Sequence, residues 1–537
     1  MQAQNNEIGY WMKDSNGLPC FNYTGSIPYS AYLPNKQKVK LPDDPWFLLG
    51  NYQLTLFAHV SGQYELITGQ RAWGRMNQGN KPNSGANDAS ITRINDKNEV
   101  VRKYQLTGFA SLAADPNQCK RVFGCGFANY TYQADNFTIQ RILSVKPSTD
   151  PGNGTSAFLL TVKIKNNCIE KMNLIYNESV TVNYETMQQQ NSSEDAKKVK
   201  YLNTISINKR EQLIKADIKG ITDDPLLFPN KESISIYEGY PPSLFIKALT
   251  EGSVLQEEST NELSVKYPLF LKPAEEKTLE MIIGYSFENN YSSIDQITKE
   301  LSTKSTGTPL NENFNSETAY SGDWLKVLPI FENEPDLQLK QELVWHAYNL
   351  EAMATYSDYY RETKIPQGTI YDYDWGQHAS ARDNFQHALP LVYYNPRLAK
   401  STMRYLLKRT TPWGEIRLIE MGNGFANHYS YFTSDQQLFF FLLLSEYLRV
   451  THDYEFLSEE VECFPVINMN KMTVLKFVEK CFTFLRDEIG AGSHGLVRLM
   501  NSDWNDAVFY TEEVPYNKSV TKTGWFQGVP RVPADWL

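Results

Sequence analysis

At 537 residues, with 41% hydrophobic and 21% charged side chains, the chain has room for two or three domains with sizeable apolar cores. Its net charge of -10 argues against a nucleic-acid surface, which needs clustered Lys and Arg to neutralise phosphates. No apolar run reaches the roughly 18 residues that a membrane-spanning helix requires, so no membrane partner is expected.

The first six residues are polar, with neither a basic region nor an apolar stretch, so they do not read as a signal peptide. They resemble a mature end carrying an added start Met, which points to an exported protein with its leader removed. The compartment is otherwise unknown.

From about residue 8 to 300 the pattern is β-structure. Short alternating runs recur at 52–58, 137–143, 157–164 and 279–285, separated by turn-forming clusters such as 80–85 and 150–154. So many strands over nearly 300 residues predict a large antiparallel sandwich rather than a small barrel. The polar stretch 188–198 reads as an exposed loop. Aromatic residues make up 13% of the chain, with Tyr 33, Phe 27 and Trp 10. Aromatic faces stack on sugar rings, but a pleated, half-buried surface also favours them, and better accounts for the composition alone. Six cysteines, at 20, 119, 125, 168, 463 and 481, are scattered. A Cys119–Cys125 disulfide and free buried thiols are both open, and no spacing suits a zinc site.

After about residue 305 the pattern changes. Residues 302–314 form a linker rich in Ser, Thr, Gly and Asn, and from 335 the apolar period becomes helical. Helices are predicted over 336–356, from Pro396, from Ser434-Asp435 to Leu448, and over 468–489 ending at Gly490. Loops rich in Trp, Tyr, Asp and Gly lie between them. Consecutive helix–loop–helix pairs suit an α/α barrel, whose loops converge at one end and can share a pocket. The expected architecture is therefore multidomain β plus α: a sandwich over 1–305, a linker over 306–335, and a partial (α/α)6 barrel over 336–537.

Three clusters there could carry chemistry. Breaking a glycosidic bond requires a proton for the leaving oxygen and a nucleophile on the opposite face of the sugar. An Asp flanked by Trp could supply the proton, as in Asp503-Trp504-Asn505-Asp506, although an ordinary polar loop fits the same residues. The second cluster is Trp375-Gly376-Gln377-His378-Ala379-Ser380-Ala381-Arg382-Asp383-Asn384-Phe385-Gln386-His387. Its Arg-Asp pair could clamp sugar hydroxyls or form a structural cap and salt bridge. The third, Ser434-Asp435, reads first as a helix cap. The histidines show no metal-ligand spacing, so no metal is expected.

Taken in order, these segments resemble the inverting glycoside phosphorylases related to cellobiose and chitobiose phosphorylase. Arg382-Asp383-Asn384-Phe385-Gln386 is similar to that family's Arg-Asp-x-x-Gln-Asp motif, and Ser434-Asp435 to its Ser-Asp-Asp segment. Glu446-Tyr447-Leu448-Arg449-Val450-Thr451-His452-Asp453 is similar to its Glu-Tyr-x-x-x-Thr-Gly-Asp turn. Gly495-Leu496 followed by Asp503-Trp504-Asn505-Asp506 is similar to its Gly-Leu…Gly-Asp-Trp-Asn-Asp-Gly stretch. The resemblance is concentrated in residues 335–510.

By position it implies Asp506 as general acid, with Trp504 and Asp503 beside it at the sugar subsite. Arg382 would bind hydroxyls of the non-reducing sugar, and Asp383 would orient Arg382 or cap its helix. The motif's final Asp is replaced by His387, which implies a sugar preference other than glucose at that subsite, and the Gly after the acid is replaced by Ala507. The resemblance further implies inverting cleavage of a β-glycosidic bond in an oligosaccharide substrate, no cofactor beyond inorganic phosphate as co-substrate, and a homodimer. The family's phosphate-binding residues fall beyond Leu537, where about half of a twelve-helix barrel has been traced. Phosphorolysis and hydrolysis therefore both stay open, with Asp374, Asp383 and Glu415 as second-carboxylate candidates for hydrolysis, and so does a non-catalytic carbohydrate-binding fragment.

Overall fold

The structure is a computed structural model that describes residues 8–27, 30–32, 38–40, 44–68, 74–77, 86–152, 154–186, 201–220, 241–259, 261–286, 294–302, 319–357, 360–366, 368, 379–417, 419–420, 426–427, 433–499 and 532–533. The predicted loops at 80–85 and 188–198, and the predicted linker from 303 to 314, lie outside the described residues.

Among the described residues, three large antiparallel sheets build most of the amino-terminal part. The largest has ten strands in the order Gly9–Lys13, Pro19–Tyr23, Cys119–Gly124, Phe127–Ala134, Phe137–Ser144, Ala157–Asn166, Glu276–Ser286, Ser243–Ala248, Leu213–Gly220 and Tyr201–Asn208. Two five-stranded sheets share one apolar core with it, one centred on Met172–Thr181 and the other on Tyr64–Thr68. Strand Ala157–Asn166 shows how sequence sets this layering. Phe158, Leu160, Val162 and Ile164 enter the core between the sheets, while Ala157 and Leu159 enter a second core shared with the helices. A strand covered on both faces reads as a continuous apolar run. Strand Met172–Thr181 instead alternates buried and half-buried along most of its length.

A buried ion pair sits in the core between the sheets. Arg141 Nη2 and Nε donate to Glu178 Oε1 and Oε2 at 2.5 and 3.1 Å, and Tyr176 adds a hydroxyl donor at 2.6 Å. Such a pair tolerates burial because each charge finds both a countercharge and hydrogen bonds.

The structure shortens one expected strand and decides between the two states left open for Cys119 and Cys125. The strand expected at 52–58 begins at Thr55: Asn51 Oδ1 accepts from the backbone N–H groups of Gln53 and Leu54, both at 2.9 Å, and this turn consumes Tyr52. The Cys119–Cys125 disulfide does not form; all six cysteines are free. Cys119 opens the extended strand that Cys125 follows, and about 3.3 Å per residue separates them far beyond bridging distance.

Helices follow the last long strand: α1 Ile294–Leu301, α2 Ser321–Val327, α3 Leu337–Met353, α4 Ala381–Tyr394, α5 Pro396–Lys408, α6 Asp435–Thr451 and α7 Val474–Thr483. The helix expected over 468–489 is shorter. Lys471–Thr473 pairs as a strand with Glu460–Glu462, and Thr473 caps α7 by accepting from Lys476 N–H at 3.2 Å. Residues 484–489 continue α7 as a π-helical turn closed by Gly490 at φ 73°. No described helix is long and apolar enough to cross a membrane.

The helices dock directly on the sandwich. Trp324 on α2 donates its indole N–H to Val145 O at 2.9 Å. Gly126, at φ 78°, makes room for that ring, since a Cβ there would stand 1.8 Å from Trp324 Nε1. Tyr348 on α3 donates to Leu48 O at 2.9 Å. At the deepest point of the junction Glu351 on α3 accepts from Tyr52 Oη at 2.6 Å and from Asn395 Nδ2 at 2.9 Å. Glu351 is 2% exposed, and burial pushes its carboxyl up to about 7 although both hydrogen bonds pull it down.

Candidate functional site

Helices α4 and α6 place the second and third sequence clusters side by side. In α4, buried Ala381, Asn384, Phe385, Ala388, Leu391 and Val392 form a stripe at helical spacing. In α6 the buried stripe is Gln436, Gln437, Phe440, Leu443, Leu444 and Tyr447. The two helices are parallel: Arg382 meets Asp435 near their starts, the Phe385 and Phe440 rings lie 5.9 Å apart, and Tyr393 bonds Glu446 near their ends. Their N-terminal ends therefore lie at the same side of the layer, where helix dipoles favour carboxylates. Asp383 and Asp435 each occupy a first turn.

The geometry there revises the sequence-based roles. Arg382 Nη1 donates to Asp435 Oδ2 at 2.6 Å, with both side chains less than one-sixth exposed. Asp435, read from sequence as part of a cap, is thus an ion-pair partner of Arg382, and Ser434 makes no side-chain capping bond. Asp383 does not cap α4, whose N-cap residue is Ser380. Asp383 Oδ2 is buried without a hydrogen-bond partner.

His387 lies one turn along α4 from Asp383, with Nδ1 3.0 Å from Pro366 O. A carbonyl only accepts, so Nδ1 carries the proton and Nε2 is the acceptor of the neutral ring. Burial lowers the His387 pKa, and the Asp383 charge opposes that shift.

Among the described residues, Ser380 Oγ, Asp383 Oδ2, Gln436 Oε1 and Gln437 Oε1 are buried side-chain oxygens lacking a hydrogen-bond partner. Each comes from the start of α4 or α6. Buried polar atoms are ordinarily paired, so a group of unpaired ones at one place fits a site that exchanges hydrogen bonds with water or ligand. The two glutamines carried no signal in sequence, because a polar residue at a helix start reads as solvated. Gln437 also ties this end to the next loop, donating to Gly414 O at 3.2 Å. Glu415 in that loop is held by Arg417 Nη1 at 2.9 Å.

The remaining site candidates, Asp503, Trp504 and Asp506 together with Asp374, lie outside the described residues. Among the described residues, no group of three or more His, Cys, Asp or Glu could hold a metal ion.

No protein-family model and no curated protein matches the sequence. Among solved structures, the chain is similar to one described as "Putative kojibiose phosphorylase from human microbiome", at 12% identity and a TM-score of 0.51, covering 97% of this chain and 69% of that one. It thus has a glycoside phosphorylase-like fold, with a large antiparallel β-sheet region followed by helices. Two sugar-epimerase structures also align, each over less than half of this chain. One is described as a "Putative aldose 1-epimerase" from Escherichia coli K12 (7% identity, 45% of this chain and 99% of that one, TM-score 0.26). The other is a galactose mutarotase related enzyme from Lactobacillus acidophilus (10% identity, 46% and 100%, TM-score 0.24).

Proposed function

We propose that the chain is a carbohydrate-active enzyme that cleaves a glycosidic bond in an oligosaccharide with inversion, using Asp506 as general acid. The observation that carries this reading is the Arg382–Asp435 pair set among the unpaired buried oxygens of Ser380, Asp383, Gln436 and Gln437. A sugar ring presents several hydroxyls at fixed spacing, and such a set of donors and acceptors suits it. Two parallel helices, α4 and α6, with α5 following α4 directly, support helical hairpins arranged as in an α/α barrel. In that arrangement the helix starts and the loops between them face a common pocket.

In the proposed reaction the Asp506 carboxyl donates its proton to the glycosidic oxygen as the bond to the anomeric carbon breaks. A nucleophile attacks that carbon from the opposite face, so configuration inverts. With inorganic phosphate as nucleophile the products are a sugar 1-phosphate and the released sugar. Arg382 would hold hydroxyls of the non-reducing sugar, Trp504 would stack on its face, and Asp503, Asp383 and His387 would complete the subsite. Substrate binding at Asp383 would supply the partner that its Oδ2 lacks. That same orphaned oxygen supports the second reading, an inverting hydrolase in which Asp383 activates water.

The test is product analysis with a panel of β-linked disaccharides and kojibiose, with and without inorganic phosphate, comparing wild type with Asp506→Asn. Phosphate-dependent sugar 1-phosphate that vanishes in the variant supports the phosphorylase, and free sugar without phosphate supports the hydrolase. Sugar binding by both proteins without turnover leaves a carbohydrate-binding protein and rejects catalysis.

A further inference from the structure

A pocket of about 200 Å³ lies away from this site, at the junction of the first hairpin, the end of α2 and the first two turns of α3. Leu18, Leu325, Leu328, Phe331 and Val344 give it mostly apolar walls. An apolar cavity of about 150 Å³ already accepts benzene, so this volume admits a body somewhat larger than one ring. The mouth is apolar too: Ile330 and Leu337 line the pocket and remain 66% and 70% exposed. Isolated exposed apolar residues are ordinary, whereas two beside an open apolar cavity form a binding surface.

The charges of the lining are selective. The chain carries 62 acidic against 52 basic residues, yet no acidic side chain lines the pocket while two lysines do. Lys13 comes from the hairpin and Lys340 from α3, and among the described residues neither is held in an ion pair. Asp14, next to Lys13, turns into its own loop, accepting from the backbone of Asn16 and Leu18 at 2.8 and 2.9 Å. An anion entering the pocket would meet two uncommitted ammonium groups and no lining carboxylate.

We propose that this pocket binds a small amphiphile: a compact apolar body bearing one anionic group that Lys13 and Lys340 hold from two walls. Because those walls belong to the sandwich and to α3, the ligand cross-links the two layers and stabilises their contact.

The experiment is a fluorescence-anisotropy titration of the full chain into naphthalene-1-sulfonate, a bicyclic apolar body with one sulfonate, followed by competition with octanoate and with octanol. The expected result is one saturable site from which octanoate displaces the probe more effectively than octanol. The double variant K13Q/K340Q, altered at two lysines outside the cores and expected to melt like wild type, should bind the probe about fivefold more weakly. Val344→Trp, which fills the cavity, should abolish the saturable phase. Equal probe affinity in wild type and the lysine double variant, or octanol competing as well as octanoate, would overturn the proposal. Sugar turnover is not part of the readout, so failure here leaves the proposed function untouched.

Discussion

Arg382 donates to Asp435 at 2.6 Å across the starts of two parallel helices, joining residues 53 positions apart. The pair is mostly shielded from solvent and borders buried oxygens that have no partner. It holds the start of α4 to the start of α6.

Removing one partner leaves the other charge partly desolvated. Asp435→Asn is expected to cost about 1–3 kcal/mol of folding stability. In a double-mutant cycle with Arg382→Gln, the coupling energy should be about 1 kcal/mol. Urea denaturation of the four proteins measures it, and additive effects would mean that the pair contributes nothing beyond its separate side chains. Sugar affinity should fall in Arg382→Gln even where the fold survives.

Asp506→Asn should lower turnover by about 10²- to 10⁴-fold, the range lost with a general acid, while sugar affinity changes little. A substrate with a leaving group that needs no proton, such as a dinitrophenyl glycoside, should recover much of the loss. Without that recovery, Asp506 is not the proton donor.

The buried Glu351 carboxyl makes stability depend on pH. Its folded value is about 7 against 4.5 for an ordinary glutamate, so the folded state holds a proton that the unfolded state releases. The sign follows: the contribution is complete below about pH 4.5 and is lost as pH rises through about 7, roughly 3 kcal/mol in all. Glu351→Gln keeps a neutral side chain of the same shape. Its stability relative to wild type should therefore rise between about pH 5 and 8, measured by urea melts across that range. A difference that does not change with pH would show that Glu351 titrates normally.

Gly126→Ala should destabilise the docking of α2 on the sandwich by about 2 kcal/mol or more, because φ 78° disfavours a side chain and Trp324 occupies the space. Trp324→Phe removes the indole bond to Val145 O and part of a fully buried ring, and should cost about 2–4 kcal/mol while leaving the Gly126 turn unstrained. Thermal melts of both variants distinguish the two effects. Tolerance of alanine at 126 would mean that the Trp324 ring moves freely.

Much of this molecule is set by local pattern. The run at 157–164, apolar but for Thr161 and Lys163, forms a strand covered on both faces, and Pro396 starts α5 where a missing N–H costs nothing. Gly490 ends the last helical segment with a positive φ. The side chains that could bind a sugar, Arg382, Asp383 and His387, were legible as residue types at motif spacing. What they touch was not. Asp435 as the partner of Arg382, Gln436 and Gln437 as buried residues whose side-chain carbonyls lack a partner among the described residues, and Glu351 as the buried acceptor for Tyr52 all depend on which elements come together. Short-range propensity acts within a turn or a strand, whereas these contacts join segments tens to hundreds of residues apart. Only packing of the layers against each other selects them.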